Sequence, residues 1–235
     1  RRFYAIFLPV AILVTGSGAM PLPSPAGQTG ATLVGRVVFR GTVPPPEVVT
    51  VTRDPKICGE TRTIQPLVVH PSTRGIQDAV VSIEGGNTSS NTDTTKTTAI
   101  TNTQCAFSPH VETIRVGAPL EVRNHDPILH NTHLMTGHRT FLNVALVVGG
   151  NPVAKVIKIP GLYQVRCDAH PFMQGHLVAF DHPYYAVTQT DGDFRIVGVP
   201  AGRHQVTVWH ETLGPQQREI IVPTQGEVSI TIEFP

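Results

Sequence analysis

The stretch CDAHPFMQG, Cys167 to Gly175, sets a thiol, an imidazole and a thioether at the spacing Cys-x-x-His-x-x-Met. These are the donors that soft and borderline metals prefer. A thiolate and an imidazole make short bonds to copper, and a thioether suits a longer axial one. A tight loop can aim Cys167, His170 and Met173 at one point, and a trigonal copper plane then needs a second imidazole from elsewhere. The upstream stretch NHDPILHNTHL offers His125, His130 and His133, and the 36 residues between His130 and Cys167 leave room for two or three strands to return the chain. A set of four protein donors leaves no open position for a substrate, which favours moving an electron over hydrolysis or oxygen activation. The bland alternative for Cys167 is a buried free thiol packing as a small hydrophobe.

Stepping outward from this loop, the elements that must position it read as strands. TLVGRVVFRG, DAVVSIEG, PLEVRN, FLNVALVVG, GLYQVRC, HLVAFD, FRIVGV, HQVTVWH and EVSITIEF are short, rich in Val and Ile, and bounded by Gly, Pro, Asn or Asp. No sustained 3.6-residue apolar period follows the N-terminal segment, so the expected class is all-β with sandwich architecture. The N-terminal segment has two arginines, an apolar run from Phe3 to Val14 and then small residues. That layout reads as an export signal or a retained hydrophobic helix over 1–20 that anchors the chain in a membrane. Residues 21–30 read as a linker, and 87–104, threonine-rich and polar, as an exposed loop.

The chain has 235 residues, 15% of them charged, with a formal net charge of +1. No broad basic face is available to neutralise phosphates, and nucleic acid is excluded as a partner. There is no Gly-rich phosphate loop, no G-x-S-x-G elbow and no H-E-x-x-H helix, so no enzyme class is indicated. A dinuclear copper centre would need a second cysteine four residues from Cys167, and none stands there. Eleven histidines are the compositional anomaly, and a cluster of His110, His125 and His133 could hold a second metal. Three cysteines in an exported, oxidising setting imply one disulfide and one leftover thiol. Cys58 and Cys105, in loop-like contexts, are the expected pair, which leaves Cys167 free.

Cys-x-x-His-Pro-Phe-Met, together with the upstream His-Asn-Thr-His, resembles the copper site of the cupredoxins, the amicyanin- and plastocyanin-like blue copper proteins. The arrangement around it also resembles exported cupredoxin-like proteins labelled as methylamine-utilisation proteins. The resemblance covers residues 105–182 and implies a Greek-key β-sandwich holding one type 1 copper, with His130, Cys167, His170 and Met173 as ligands and His133 as a non-ligand. It further implies a one-electron carrier in the periplasm or another extracytoplasmic space. Its redox partner would be a c-type cytochrome, a dehydrogenase or a membrane electron-transfer complex. Asn131, beside a ligand, would tie the two ligand loops together, and Phe172 with Pro127 and Pro171 would surround an exposed edge of His170. Asp168 departs from the pattern by putting a carboxylate beside the thiolate, unless it turns to solvent or pairs with Arg166. GRVVFRGTVPPPEVV with AVVSIEG, and TQTDGDFRIVGVPAGRHQVTVWHE, resemble the two ends of a transthyretin-like, carboxypeptidase-regulatory sandwich, giving a second module over 31–86 and 183–235. Two further roles fit the residues: a structural or interaction subunit of a membrane complex, and copper delivery.

Overall fold

The computed structural model describes residues 30–84 and 94–235. The N-terminal segment expected to be a signal or anchor lies outside the described residues. Among the described residues, no helix is long and apolar enough to cross a membrane.

The chain opens with β1 (Ala31–Phe39), an arm made of β2 (Glu47–Thr50), α1 (Pro55–Cys58) and β3 (Thr61–Ile64), and then β4 (Val80–Glu84). It continues through β5 (Thr98–Thr103), β6 (Ala106–Ser108), β7 (Val111–Arg115), β8 (Pro119–Asn124), β9 (His130–Thr136) and β10 (Arg139–Leu146). Then come β11 (Val153–Val156), β12 (Gly161–Arg166) and β13 (Gln174–Phe180), before the chain closes with β14 (Tyr185–Val187), β15 (Asp193–Val199), β16 (Gly202–His210), β17 (Gly214–Val222) and β18 (Glu227–Phe234).

The fold is all-β, in two sandwiches. In the first, the sheet β15-β1-β18 faces the sheet β14-β4-β16-β17. Leu33 and Val37 of β1, Val81 and Ile83 of β4, Val206 and Val208 of β16 and Ile232 of β18 fill the space between them. In the second, β10-β9-β12-β13-β7 faces β11-β8-β5-β6. Ile100, Leu120, Val122, Leu134, Tyr163, Val165 and Leu177 form that core. Each core is the inward half of a two-residue alternation, and burying it is the main drive to fold.

The polar-loop reading of 87–104 is corrected over its last part. Residues 98–103 form β5, which pairs in parallel with β8 and buries Ile100 and Asn102. Threonine suits a strand as well as a loop, and Asn102 is accommodated because its Nδ2 donates to the Arg123 carbonyl and the Thr132 hydroxyl. The arm β2-α1-β3 also departs from a simple first-sandwich half. It carries Val51 and Cys58 into the second core, where Cys58 is bonded to Cys105.

The two sandwiches meet through polar contacts and through the stacking of Phe180 of β13 on Tyr185 of β14. His110, just before β7, and His176, on the face of β13 turned away from the second core, both reach Glu211 at the end of β16. Burial opposes ionisation of Glu211, but the two imidazoles beside it, His110 foremost, outweigh that and bring the carboxyl down to about 2.

Within the first sandwich, the turn at Asp191-Gly192, which carries the chain from one sheet to the other, lies directly on Gly75. A Cβ built on Gly75 would stand 1.7 Å from the Asp191 carbonyl oxygen, a backbone atom that cannot step aside. Gly75→Ala should therefore lower unfolding stability by about 1–3 kcal/mol. Urea unfolding checks it: the midpoint should fall while the slope stays unchanged.

Candidate metal centre

Strand alternation aims the donors. Tyr163 and Val165 of β12 point into the second core, and Cys167, two residues further on, keeps that phase and is 2% exposed. In β9, His130 shares the inward face with Thr132 and Leu134, and is 0% exposed. Between Cys167 and Met173 the chain folds into a closed loop. The His170 N–H donates to the Cys167 carbonyl, the Met173 N–H to the His170 carbonyl, and the Cys167 N–H to the Met173 carbonyl, at 3.2, 2.9 and 3.2 Å. This loop turns His170 inward as well and buries Met173.

The result is a cluster of three donors. Nδ1 of His130 and Nδ1 of His170 are 3.1 Å apart, and Cys167 Sγ lies 3.8 Å from the first and 3.6 Å from the second. Imidazole and thiolate on a first-row divalent ion, with bonds of about 2.0–2.3 Å in a trigonal plane, stand roughly 3.5–3.7 Å from one another. The two sulfur-to-nitrogen distances match one such ion, and the two nitrogens lie somewhat closer together than it would hold them.

The far side of each ring explains which nitrogen faces the cluster. His130 Nε2 sits 2.8 Å from Asp126 Oδ2, and His170 Nε2 sits 3.1 Å from Asp54 Oδ2. A carboxylate accepts only, so each Nε2 carries a proton, and in a neutral ring the Nδ1 presents a lone pair. In that form two lone pairs and a sulfur converge on one point. That arrangement suits a cation. Burial, first among the influences on His130, holds it below the usual histidine range, and His170 adds to this against the pull of Asp126. A neutral imidazole is the ligating form.

Asp126 and Asn131 hold this geometry. Asp126 accepts from the Gln104 and Cys105 N–H groups at 2.6 and 2.8 Å, so the carboxylate behind His130 is fixed to the disulfide of Cys58 and Cys105. Asn131 Oδ1 accepts from the Asp168 N–H at 2.6 Å and from the Cys167 thiol at 3.4 Å, while its Nδ2 donates to Asn143 and Asp168. The side chain thus joins β9 to the Cys167 loop. Asp168 turns half outward and pairs with His133 at 3.0 Å. Hydrogen bonds from His133 and then from Asn143 and Asn131 keep its carboxyl below the usual range, against a smaller opposing effect of burial. Arg166 bonds Gln164 instead.

Two expectations about the site are corrected. His170 has no exposed edge: it is 0% exposed, and Asp54 of the arm covers its Nε2. Phe172 packs edge-on to the His170 ring at 5.8 Å and lines, with Pro171, Val49 and Ile64, a cavity of about 300 Å³ between the loop and the arm. The grouping of His110, His125 and His133 is not formed either. His133 faces Asp168, His125 is exposed, and His110 is joined by His176 and Glu211. The sequence reading missed Asp54 and Asp126. Asp126, four residues before His130, was visible as a nearby carboxylate, whereas Asp54 is 116 residues from His170 and only the fold brings it there.

Fold and site together define an all-β, double-sandwich protein with a buried Cys-His-His donor cluster. No protein-family model and no curated protein matches the chain. Among solved structures it is similar to the Cu-containing nitrite reductase from Thermus scotoductus SA-01, at 23% identity and a TM-score of 0.33, over 36% of this chain and 22% of that one. It is similar to a reduced amicyanin variant at 17% identity and a TM-score of 0.33, over 43% of this chain and 98% of that one. A purple cupredoxin from Nitrosopumilus maritimus is matched at 22% identity and a TM-score of 0.31, over 35% of this chain and 98% of that one.

Asp126→Ala strips the acceptor from two backbone N–H groups and from a buried imidazole, and should cost at least about 2 kcal/mol of unfolding stability. Asp126→Asn, which keeps an acceptor oxygen, should cost less. Chemical denaturation of the metal-free chain measures both.

Proposed function

We propose that this chain is a one-electron carrier with a type 1 copper site formed by His130, Cys167, His170 and Met173, working outside the cytoplasm. The observation that carries the reading is the convergence of two Nδ1 atoms and one sulfur, each ring held from behind by a carboxylate. When bound, copper would supply a Cu(I)/Cu(II) couple that exchanges one electron.

The protein's own residues do the rest. Asp126 and Asp54 fix the tautomer and orientation of the two rings. Asn131 holds the Cys167 loop against β9, so the donors need not rearrange when the charge at the centre changes. Cys167, His130, His170 and Met173 are buried, which keeps water from the centre and leaves no open position for a substrate. The disulfide supports an oxidising compartment. Exposed Leu129 and Val147 lie beside the paired His130 and Leu146, with exposed Pro127 nearby, and offer an apolar patch for a weak redox encounter. A c-type cytochrome, a dehydrogenase or a membrane electron-transfer complex is the class of partner.

A second reading, a structural or interaction subunit of a membrane complex, is favoured by one feature: the arm that covers His170, the ring expected to face a partner.

Visible absorption and EPR of the Cu(II)-loaded chain beside Cys167→Ser separate the two. An intense thiolate-to-copper band and narrow copper hyperfine splitting, both lost in the variant, are expected. A colourless protein overturns the carrier and leaves the subunit reading. Asp54→Ala should weaken copper binding by roughly 10–100-fold, measured by competition with a chelator.

A further inference from the structure

A second group of metal-binding side chains lies away from Cys167, where the two sandwiches meet. His110, His176 and Glu211 each offer a ligand atom, and these atoms all lie within 4.8 Å of one another. We propose that His110, His176 and Glu211 form a divalent-cation site that clamps one sandwich to the other, with Zn²⁺ or Cu²⁺ as the class of ion.

The case begins with the contacts. His110 Nε2 lies 2.5 Å from Glu211 Oε1, which an ordinary ion pair or hydrogen bond explains. His176 is different. Its Nδ1 lies 3.2 Å from Glu211 Oε2, inside ion-pair distance, yet it is shielded from solvent and has no hydrogen-bond partner among the described residues. The carboxylate oxygen is near the nitrogen but off the line along which an N–H would point. A buried ring nitrogen beside a carboxylate without an aligned hydrogen bond is an incomplete arrangement. A cation bound by both atoms completes it.

The supporting elements make the position firm. The His176 N–H donates to the His110 carbonyl at 2.9 Å, which fixes the two histidine segments to each other. Trp209, two residues before Glu211, meets the His176 ring edge-on at 5.2 Å and closes one side of the site. On the other side a cavity of about 510 Å³ reaches His110 and Glu211 and is also lined by Gln77 and Asp78. That space can hold the remaining oxygen ligand of a four-coordinate ion.

The donor set selects the ion. Two imidazoles and one carboxylate with no thiolate suit Zn²⁺ or Cu²⁺ and are too rich in nitrogen for Ca²⁺ or Mg²⁺. Topology gives the site its role. His110 and His176 belong to the second sandwich and Glu211 to the first, so one bound ion would link segments 101 residues apart in sequence. The site shares no ligand with the Cys167 cluster and stands whether or not that cluster binds copper.

The test counts zinc in the full chain. After zinc loading and dialysis, bound metal is measured by elemental analysis in the unmutated chain and in Glu211→Gln and His176→Ala, each also made with Cys167→Ser. Each of the two variants should hold one zinc fewer than its parent in both backgrounds. Equal zinc in parent and variant overturns the proposal. Should the variants fail to fold, the unmutated chain decides: zinc should shift the imidazole NMR signals of His110 and His176, and zinc that leaves both unmoved overturns the clamp.

Discussion

Two fully buried imidazoles with their Nδ1 atoms 3.1 Å apart are the arrangement on which this structure turns. Nothing in β9 or in the Cys167 loop alone would hold them so. They are held because each ring is tied at its other nitrogen. Asp126 fixes His130 from within the same sandwich, and Asp54 fixes His170 from an arm that belongs by sequence to the first. A folded protein that keeps two ionisable carboxylates and two histidines in this order is organised for charge at its centre.

The arm's attachment follows from that requirement. Cys58 closes α1 and is bonded to Cys105, and the Cys105 N–H donates to Asp126. The same covalent link that secures the arm carrying Asp54 therefore also positions the carboxylate behind His130. Asp54, just before α1, has a left-handed backbone (φ 54°), a conformation that aspartate tolerates better than most residues. Position, backbone and disulfide are parts of one support, and a change at any of them reaches both rings.

The junction between the sandwiches mixes polar and aromatic contacts, with Phe180 of β13 stacked on Tyr185 of β14 beside the group around Glu211. Each sandwich completes its own core, with Leu33, Val81 and Val206 in one and Leu120, Tyr163 and Leu177 in the other. Between them cross the arm, the group formed by His110, His176 and Glu211, and the ring contacts of Phe180 with Tyr185 and of His176 with Trp209. Directional contacts and the disulfide therefore help to orient one sandwich on the other, because hydrophobic burial has no direction.

The sequence by itself determined the all-β class, because Val- and Ile-rich alternation bounded by turn residues permits little else. It determined the local spacing of Cys167, His170 and Met173, since a seven-residue loop is governed by its own backbone hydrogen bonds. It also determined the pairing of Cys58 with Cys105, given the setting of the third cysteine. Only the tertiary structure decided that residues 98–103 are a strand, because threonine has no strong preference until a neighbour such as β8 offers its edge. Only it decided that Asp54 covers His170 and that His110 meets Glu211, contacts that span 116 and 101 residues. The physical reason is the same in each case. Spacing along the chain fixes which side chains share a face, but which faces meet depends on how two separate cores pack, and no local pattern records that.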